Sequence, residues 1–313
     1  MRTVLNEKEK SYFEISSSVN SRAWVGLVFC ACWNDHISLK WQRCTVFLFG
    51  LMTCLSAGLL LPYLTMVIRN LLPPLLPLVS DAGGLPPSSG IFAVFLILAS
   101  FFAFITFTIV YVTINHLNGN DKKIIRIANR YGFIIILISS LGLVVTGCYP
   151  VGYTDVPNML EWVMTVLGVH SLGAVMILVG VALYQYCLAA VWWYLPCASK
   201  REKYIKLFFI CVYTAFFITI SYPLPKMIEE VMGPDVLNFE RMRNTIYDLP
   251  HVYTISRLIC STTEYSICIL SIVNFGFFYK YLQKVSLRIV LRHKSCTMEP
   301  EDPVPSIKLK PIS

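Results

Sequence analysis

Asp81, His170, Arg257 and Glu264 are the residues of this sequence best placed to do chemistry, because each stands in or beside a long apolar stretch. Ionisable groups at membrane depth are costly and are kept with a partner or a task. A histidine and two carboxylates could in principle ligate a metal or move protons. The spacing does not support either role. No HxxxH or HExxH pattern occurs, and no Ser sits in a nucleophile turn. The expectation is a polar network that is structural or binds a ligand, with no catalysis, no metal and no cofactor. Arg257 and Glu264 are seven residues apart, so they share a helical face with Ser261 and Cys268. The simplest pairing joins Arg257 to Glu264 through an intervening hydroxyl, or one of them to His170. His170 is followed at +3, +4 and +10 by Gly173, Ala174 and Gly180. Small residues let a neighbouring helix approach closely, so this stripe predicts a tight helix contact with an imidazole at its end.

Asp81 belongs to an unusual loop, Arg69–Gly90. Its first half, Leu71-Leu72-Pro73-Pro74-Leu75-Leu76-Pro77, is too apolar for a solvated linker and too rich in proline for regular helix. The second half carries Ser80, Asp81, Gly83, Pro86 and Pro87. Such a segment should lie on the membrane surface or fold back over the helices. Pro86-Pro87-Ser88 should cap the next helix, with a side chain accepting from exposed amides. A structural cap and turn is one reading of the loop; a lid or ligand contact is the other.

The elements that must position these groups follow from composition. Of 313 residues, 56% are hydrophobic and 14% charged, with a mean hydropathy of +0.63. Soluble proteins carry about 25% charged residues, so this chain cannot coat a soluble globule. Crossing a bilayer takes ~20 mostly apolar residues in a helix. Six stretches qualify: Val46–Ile68, Ile91–Ile114, Tyr131–Tyr149, Val163–Trp193, Tyr204–Tyr222 and Val252–Tyr279. Runs such as Phe133-Ile134-Ile135-Ile136-Leu137-Ile138 are apolar all round, which excludes the alternation of a membrane β-barrel.

Charge orients the spans. Of the 26 Lys and Arg residues, 21 fall before the first span, after the last, or in the second and fourth connections, counting with the fourth Lys206 in the first turn of Tyr204–Tyr222. Four fall in the other connections, and Arg257 is inside a span. Basic residues mark cytosolic segments. The fold class is therefore an all-α integral membrane protein, a bundle of six transmembrane helices with cytosolic N- and C-termini. Residues 1–43 read as a cytosolic tail with a short membrane-surface element, 44–285 as the membrane domain and 286–313 as a second cytosolic tail. The apolar piece Trp24–Trp33 is too short and too far in for a secretory signal. The basic face suits anionic lipids such as phosphoinositides, and topology alone accounts for it; no nucleic-acid partner is implied. Most of the 11 cysteines sit in spans or cytosolic segments, so no structural disulfide is expected. Cys30 and Cys32 could be acylated or idle.

The loop pattern Ser80-Asp81-x-Gly83-x-x-Pro86-Pro87-x-x-x-Ile91-Phe92 resembles the first-loop signature of the DRAM family, the damage-regulated autophagy modulators. That family lies within a superfamily with the FGF-receptor-activating protein, the yeast Sfk proteins and the transmembrane-150 proteins. Val169-His170-x-x-Gly173-Ala174, Glu264-Tyr265 and Ser286-Leu287-Arg288-Ile289 resemble its span-four, span-six and post-span patterns, in order, across roughly residues 41–290. Where the family has a His before the span-six Glu, this chain has Arg257 and His251. The resemblance implies a non-catalytic, multi-pass regulator of autophagy or lysosomal function in an endomembrane. Other branches imply a plasma-membrane scaffold that promotes phosphoinositide kinase recruitment, or a Golgi GPI-anchor or lipid remodelling factor.

Overall fold

A computed structural model describes residues 14–16, 27–32, 36–41, 43–72, 74, 77–119, 121–152, 159–232 and 254–292. The chain divides into two compact units, Arg43–Val285 and the joined ends Met1–Gln42 and Ser286–Ser313.

Among the described residues the larger unit has six helices long and apolar enough to cross a membrane. They are α1 (Thr45–Ile68), α3 (Ser88–Leu117), α4 (Lys123–Cys148), α6 (Gly168–Tyr194), α7 (Lys200–Ser221) and α9 (Ile255–Gly276). Shorter helices join them: α2 (Val79–Ala82), α5 (Met159–Trp162), α8 (Pro223–Met232) and α10 (Tyr279–Leu282). A π-turn, Val163–Leu167, leads from α5 into α6. Each predicted span is present. The largest shift is α4, which begins eight residues before Tyr131 and includes Arg126 and Arg130. Its basic first turns extend the helix past the apolar segment, which hydropathy alone does not detect.

The helices are apolar on all sides, and the faces they bury are set by small residues. α4 and α6 pack most closely. A Cβ built at Gly132 would lie 3.0 Å from Cys187, at Gly180 2.1 Å from Ser139 Oγ, and at Gly142 2.8 Å from the Gly173 carbonyl. The His170–Gly180 stripe is therefore a helix seam, as expected, and its partner is α4. α3 packs on α1 and α4, while α9 packs on α1, α7 and α8. A centre of aromatic rings, Phe107 with Tyr184, Phe275 and Phe278, joins α3, α6 and α9.

The second unit is a four-stranded antiparallel sheet in the order β1 (Glu14–Ser16), β4 (Ser286–Arg292), β3 (His36–Trp41), β2 (Leu27–Cys32). Strands thus occupy segments whose composition reads as tails. The reason is register. Ile37, Leu39 and Trp41 pair with Leu291, Ile289 and Leu287 and with Ala31, Phe29 and Leu27, so apolar types share one set of alternating positions. That complementarity joins segments some 250 residues apart and is invisible in a local window. Cys54, Cys148, Cys187, Cys197, Cys211, Cys260 and Cys268 form no disulfide. The side chains of Cys30 and Cys32, together with Cys296, His251 and the Pro-rich segment 299–305, lie outside the described residues.

Candidate functional site

The loop between α1 and α3 folds back onto one end of the bundle. Leu72 is buried with Met66 and Ala82, beside Tyr63 and Leu85, and so packs against the end of α1. The Tyr63 hydroxyl donates to the Pro74 carbonyl at 2.8 Å. Proline does not exclude helix throughout: the single turn of α2 carries Asp81 at its third position. Asp81 accepts from the Leu78 amide at 3.1 Å, which closes that turn. Gly83 ends it, and a Cβ there would run into Phe92 at 2.6 Å. At Gly84 a Cβ would meet the Val151 carbonyl at 2.5 Å, so glycine lets the loop lie directly against the segment after α4.

Pro86 and Pro87 are exposed and joined by a cis peptide. Pro87 precedes the first residue of α3, yet no side chain caps that helix. This corrects the expected cap. Ser88 is fully buried and its hydroxyl donates, to the Pro62 carbonyl at 3.1 Å and to the Ala82 carbonyl. It ties α1, α2 and α3 together instead of accepting from amides.

Four side chains converge beneath this loop. Arg257 pairs with Asp81, both side chains being under 10% exposed. That corrects the expected pairing of Arg257 with Glu264 or of either with His170. Seven residues are two turns of helix, about 10 Å of rise, and the loop places a carboxylate nearer. Glu264 instead accepts from the Val79 amide at 3.0 Å. His170 is 5% exposed and its Nδ1 lies 2.7 Å from the Tyr149 carbonyl. A carbonyl can only accept, so Nδ1 carries the proton and donates. The Asp81 carboxylate is within electrostatic reach of both His170 and Glu264. Asp81, His170 and Glu264 therefore gather toward one end of the bundle, with Ser80 half-buried beside them.

Below the four groups lies a cavity of about 110 Å³, walled by α1, α3, α4, α6 and α9. His170, Glu264 and Ser80 line its loop end; Phe107 and Phe275 line its far end. Left empty, such a void costs on the order of 2–3 kcal/mol at ~24 cal/mol per Å³.

Comparison with known proteins gives the family. Residues 23–285 match the family described as Frag1/DRAM/Sfk1/Cwh43P N-terminal domain. The chain belongs to this family. Among its relatives in the Frag1/DRAM/Sfk1 group, the DNA damage-regulated autophagy modulator protein 2 of Bos taurus is 25% identical over 257 residues, 80% of this chain and 88% of that one. The Mus musculus protein of the same name is 24% identical over 254 residues, 80% and 87% of the two chains. No solved structure matches.

A second polar group of this Frag1/DRAM/Sfk1 bundle escapes sequence reading. Lys206 looks like one more basic residue of a loop, but it lies in α7 and is 4% exposed. Its Nζ donates to Asn274 of α9, whose amide in turn donates to Gln185 of α6. The rings of Trp192, Phe277 and Phe278 lie 5.3–5.4 Å from the ammonium, within cation–π range. Deeper along α7, the Tyr213 hydroxyl lies 2.6 Å from Ser271 Oγ. Ser271 donates to Ile267, so Tyr213 is the donor to Ser271. The signal was present: Lys206, Phe209 and Tyr213 fall at i, i+3 and i+7, the spacing of one buried face. Asn274→Leu orphans both Lys206 and Gln185, and should lower stability by about 1.5–3 kcal/mol. Thermal unfolding of the detergent-purified protein measures this; an unchanged midpoint would show that the network holds nothing together.

Proposed function

We propose that this protein is a non-catalytic, multi-pass regulator of autophagy resident in endolysosomal membranes, with both chain ends in the cytosol. The observation that carries the reading is the folded-back loop. The segment bearing the DRAM-like pattern is the one whose Asp81, Gly83, Gly84 and Ser88 are committed to holding α1, α2, α3 and α9 together. Its one acidic group, Asp81, is paired with Arg257 within the fold, which suits a scaffold better than an enzyme. The relatives named as autophagy modulators cover four-fifths of the chain. The skew of Lys and Arg toward alternate connections supports the cytosolic placement of the ends.

The test is localisation together with flux. A tagged protein should colocalise with lysosomal markers, and deletion should change the turnover of autophagic cargo. Plasma-membrane residence with normal turnover would refute the proposal and favour the phosphoinositide-scaffold branch.

A further inference from the structure

The cavity below the loop has the wall chemistry of a lipid site, and no role is assigned to it by the reading above. The hydroxyls of Ser139, Ser140 and Ser271 face it but donate to carbonyls of their own helices, at 3.1, 2.8 and 2.7 Å. The wall they belong to is therefore effectively apolar. It is also long. α9 alone contributes residues from Glu264 to Phe275, eleven steps or about 16 Å of helix rise. The loop end is different. Glu264 uses one carboxylate oxygen on the Val79 amide; the other makes no hydrogen bond among the described residues. His170 is held by backbone carbonyls, its Nδ1 on that of Tyr149 and its ring also within reach of Thr146. The Thr146 hydroxyl, on the same wall in a residue 5% exposed, has no partner.

One unfilled carboxylate oxygen and one unpartnered hydroxyl at the head of a long apolar slot define a ligand. It has one hydrocarbon chain and a head that donates hydrogen bonds. Charge narrows it further. Arg257 is committed to Asp81, so Glu264 has no basic partner among the described residues, and a cationic head complements it. The geometry points to a binding site for a single-chain amino-alcohol lipid of the sphingoid-base type, with its chain between α1, α3, α4, α6 and α9, its amine at Glu264 and its hydroxyl at Thr146. A carboxylate head would meet Glu264 as a like charge and is disfavoured.

The test uses the full-length protein in nanodiscs with a photoactivatable, clickable sphingosine and a palmitate probe carrying the same photoactivatable and click groups. Wild-type protein should be labelled by the sphingosine probe, and unlabelled sphingosine should suppress the labelling at least tenfold. Glu264→Gln should reduce labelling about tenfold. Ala174→Phe, which places a ring in the cavity, should abolish it. If Ala174→Phe fails to fold, the competition and the Glu264→Gln comparison decide. Labelling that competitor does not suppress, or that persists in a folded Ala174→Phe protein, would mean that only surface lipid is captured. Equal labelling by the palmitate probe that survives Glu264→Gln would overturn the assignment of the head.

Discussion

Asp81→Ala lowers the unfolding free energy of the helix bundle by about 3–5 kcal/mol, the range for removing one partner of a buried ion pair. Arg257→Leu does the same from the other side. The magnitude comes from the charge that remains. Both side chains are under 10% exposed, so whichever is left has lost its counter-charge where water cannot replace it. The double variant Asp81→Leu/Arg257→Leu should regain most of the loss, because two apolar side chains in place of a buried pair are close to neutral. It should not regain all of it. Asp81 also accepts from the Leu78 amide, and an orphaned amide costs about 1–3 kcal/mol. Asp81→Asn separates the two effects, since it keeps an acceptor for Leu78 and loses the charge for Arg257. Reversible unfolding in mixed micelles reads all four proteins. If each single variant stays within ~0.5 kcal/mol of wild type, the pair is not what fastens the loop to α9.

The six spans were legible because bilayer thickness imposes a length on apolar segments, and that constraint is local. The gathering of Asp81, His170 and Glu264 is not a matter of span length: Glu264 stands mid-helix in α9, and the folded-back loop reaches it through the Val79 amide. The pairing among them was not legible. Arg257 and Glu264 share a helix face, which makes their pairing look natural, yet the partner of Arg257 comes from a loop 176 residues away. Ser88 shows the same limit: its residue type suits a cap, but a hydroxyl can donate as well as accept, and two carbonyls left by α1 and α2 decide which. Lys206 was hidden by its neighbours Lys200, Arg201 and Lys203. A basic run reads as a loop until the spacing to Phe209 and Tyr213 is weighed beside it. The sheet between the chain ends depends on register across the whole sequence, which no window of residues contains.

Gly173→Ala should disrupt the bundle more than its one added methyl suggests. Between helices in lipid there is little hydrophobic drive, so association depends on close packing. At the α4–α6 seam that packing is backbone on backbone. A Cβ at Gly173 would stand 2.9 Å from the Thr146 amide nitrogen and 3.1 Å from the Gly142 carbonyl, besides 2.6 Å from Thr146 Oγ1. Neither backbone atom can rotate away, so the helices must separate, at about 1–3 kcal/mol for overpacking of this kind. Gly173→Val should exceed that and leave no folded protein in detergent. Gly180 provides the contrast. A Cβ there meets Ser139 Oγ at 2.1 Å and only side-chain atoms nearer than the Ile135 carbonyl at 3.7 Å, so Gly180→Ala should be rescued by Ser139→Ala. Gly173→Ala should not be rescued by Thr146→Ala, because the backbone contacts remain. Gly90 is the control. It lies in α3 with nothing within 4 Å of an added methyl, and alanine there should stabilise by up to ~1 kcal/mol through helix propensity. Thermal midpoints of the variants that fold rank these effects. Rescue of Gly173→Ala by Thr146→Ala would show that a side chain, not the backbone, sets the approach of the two helices.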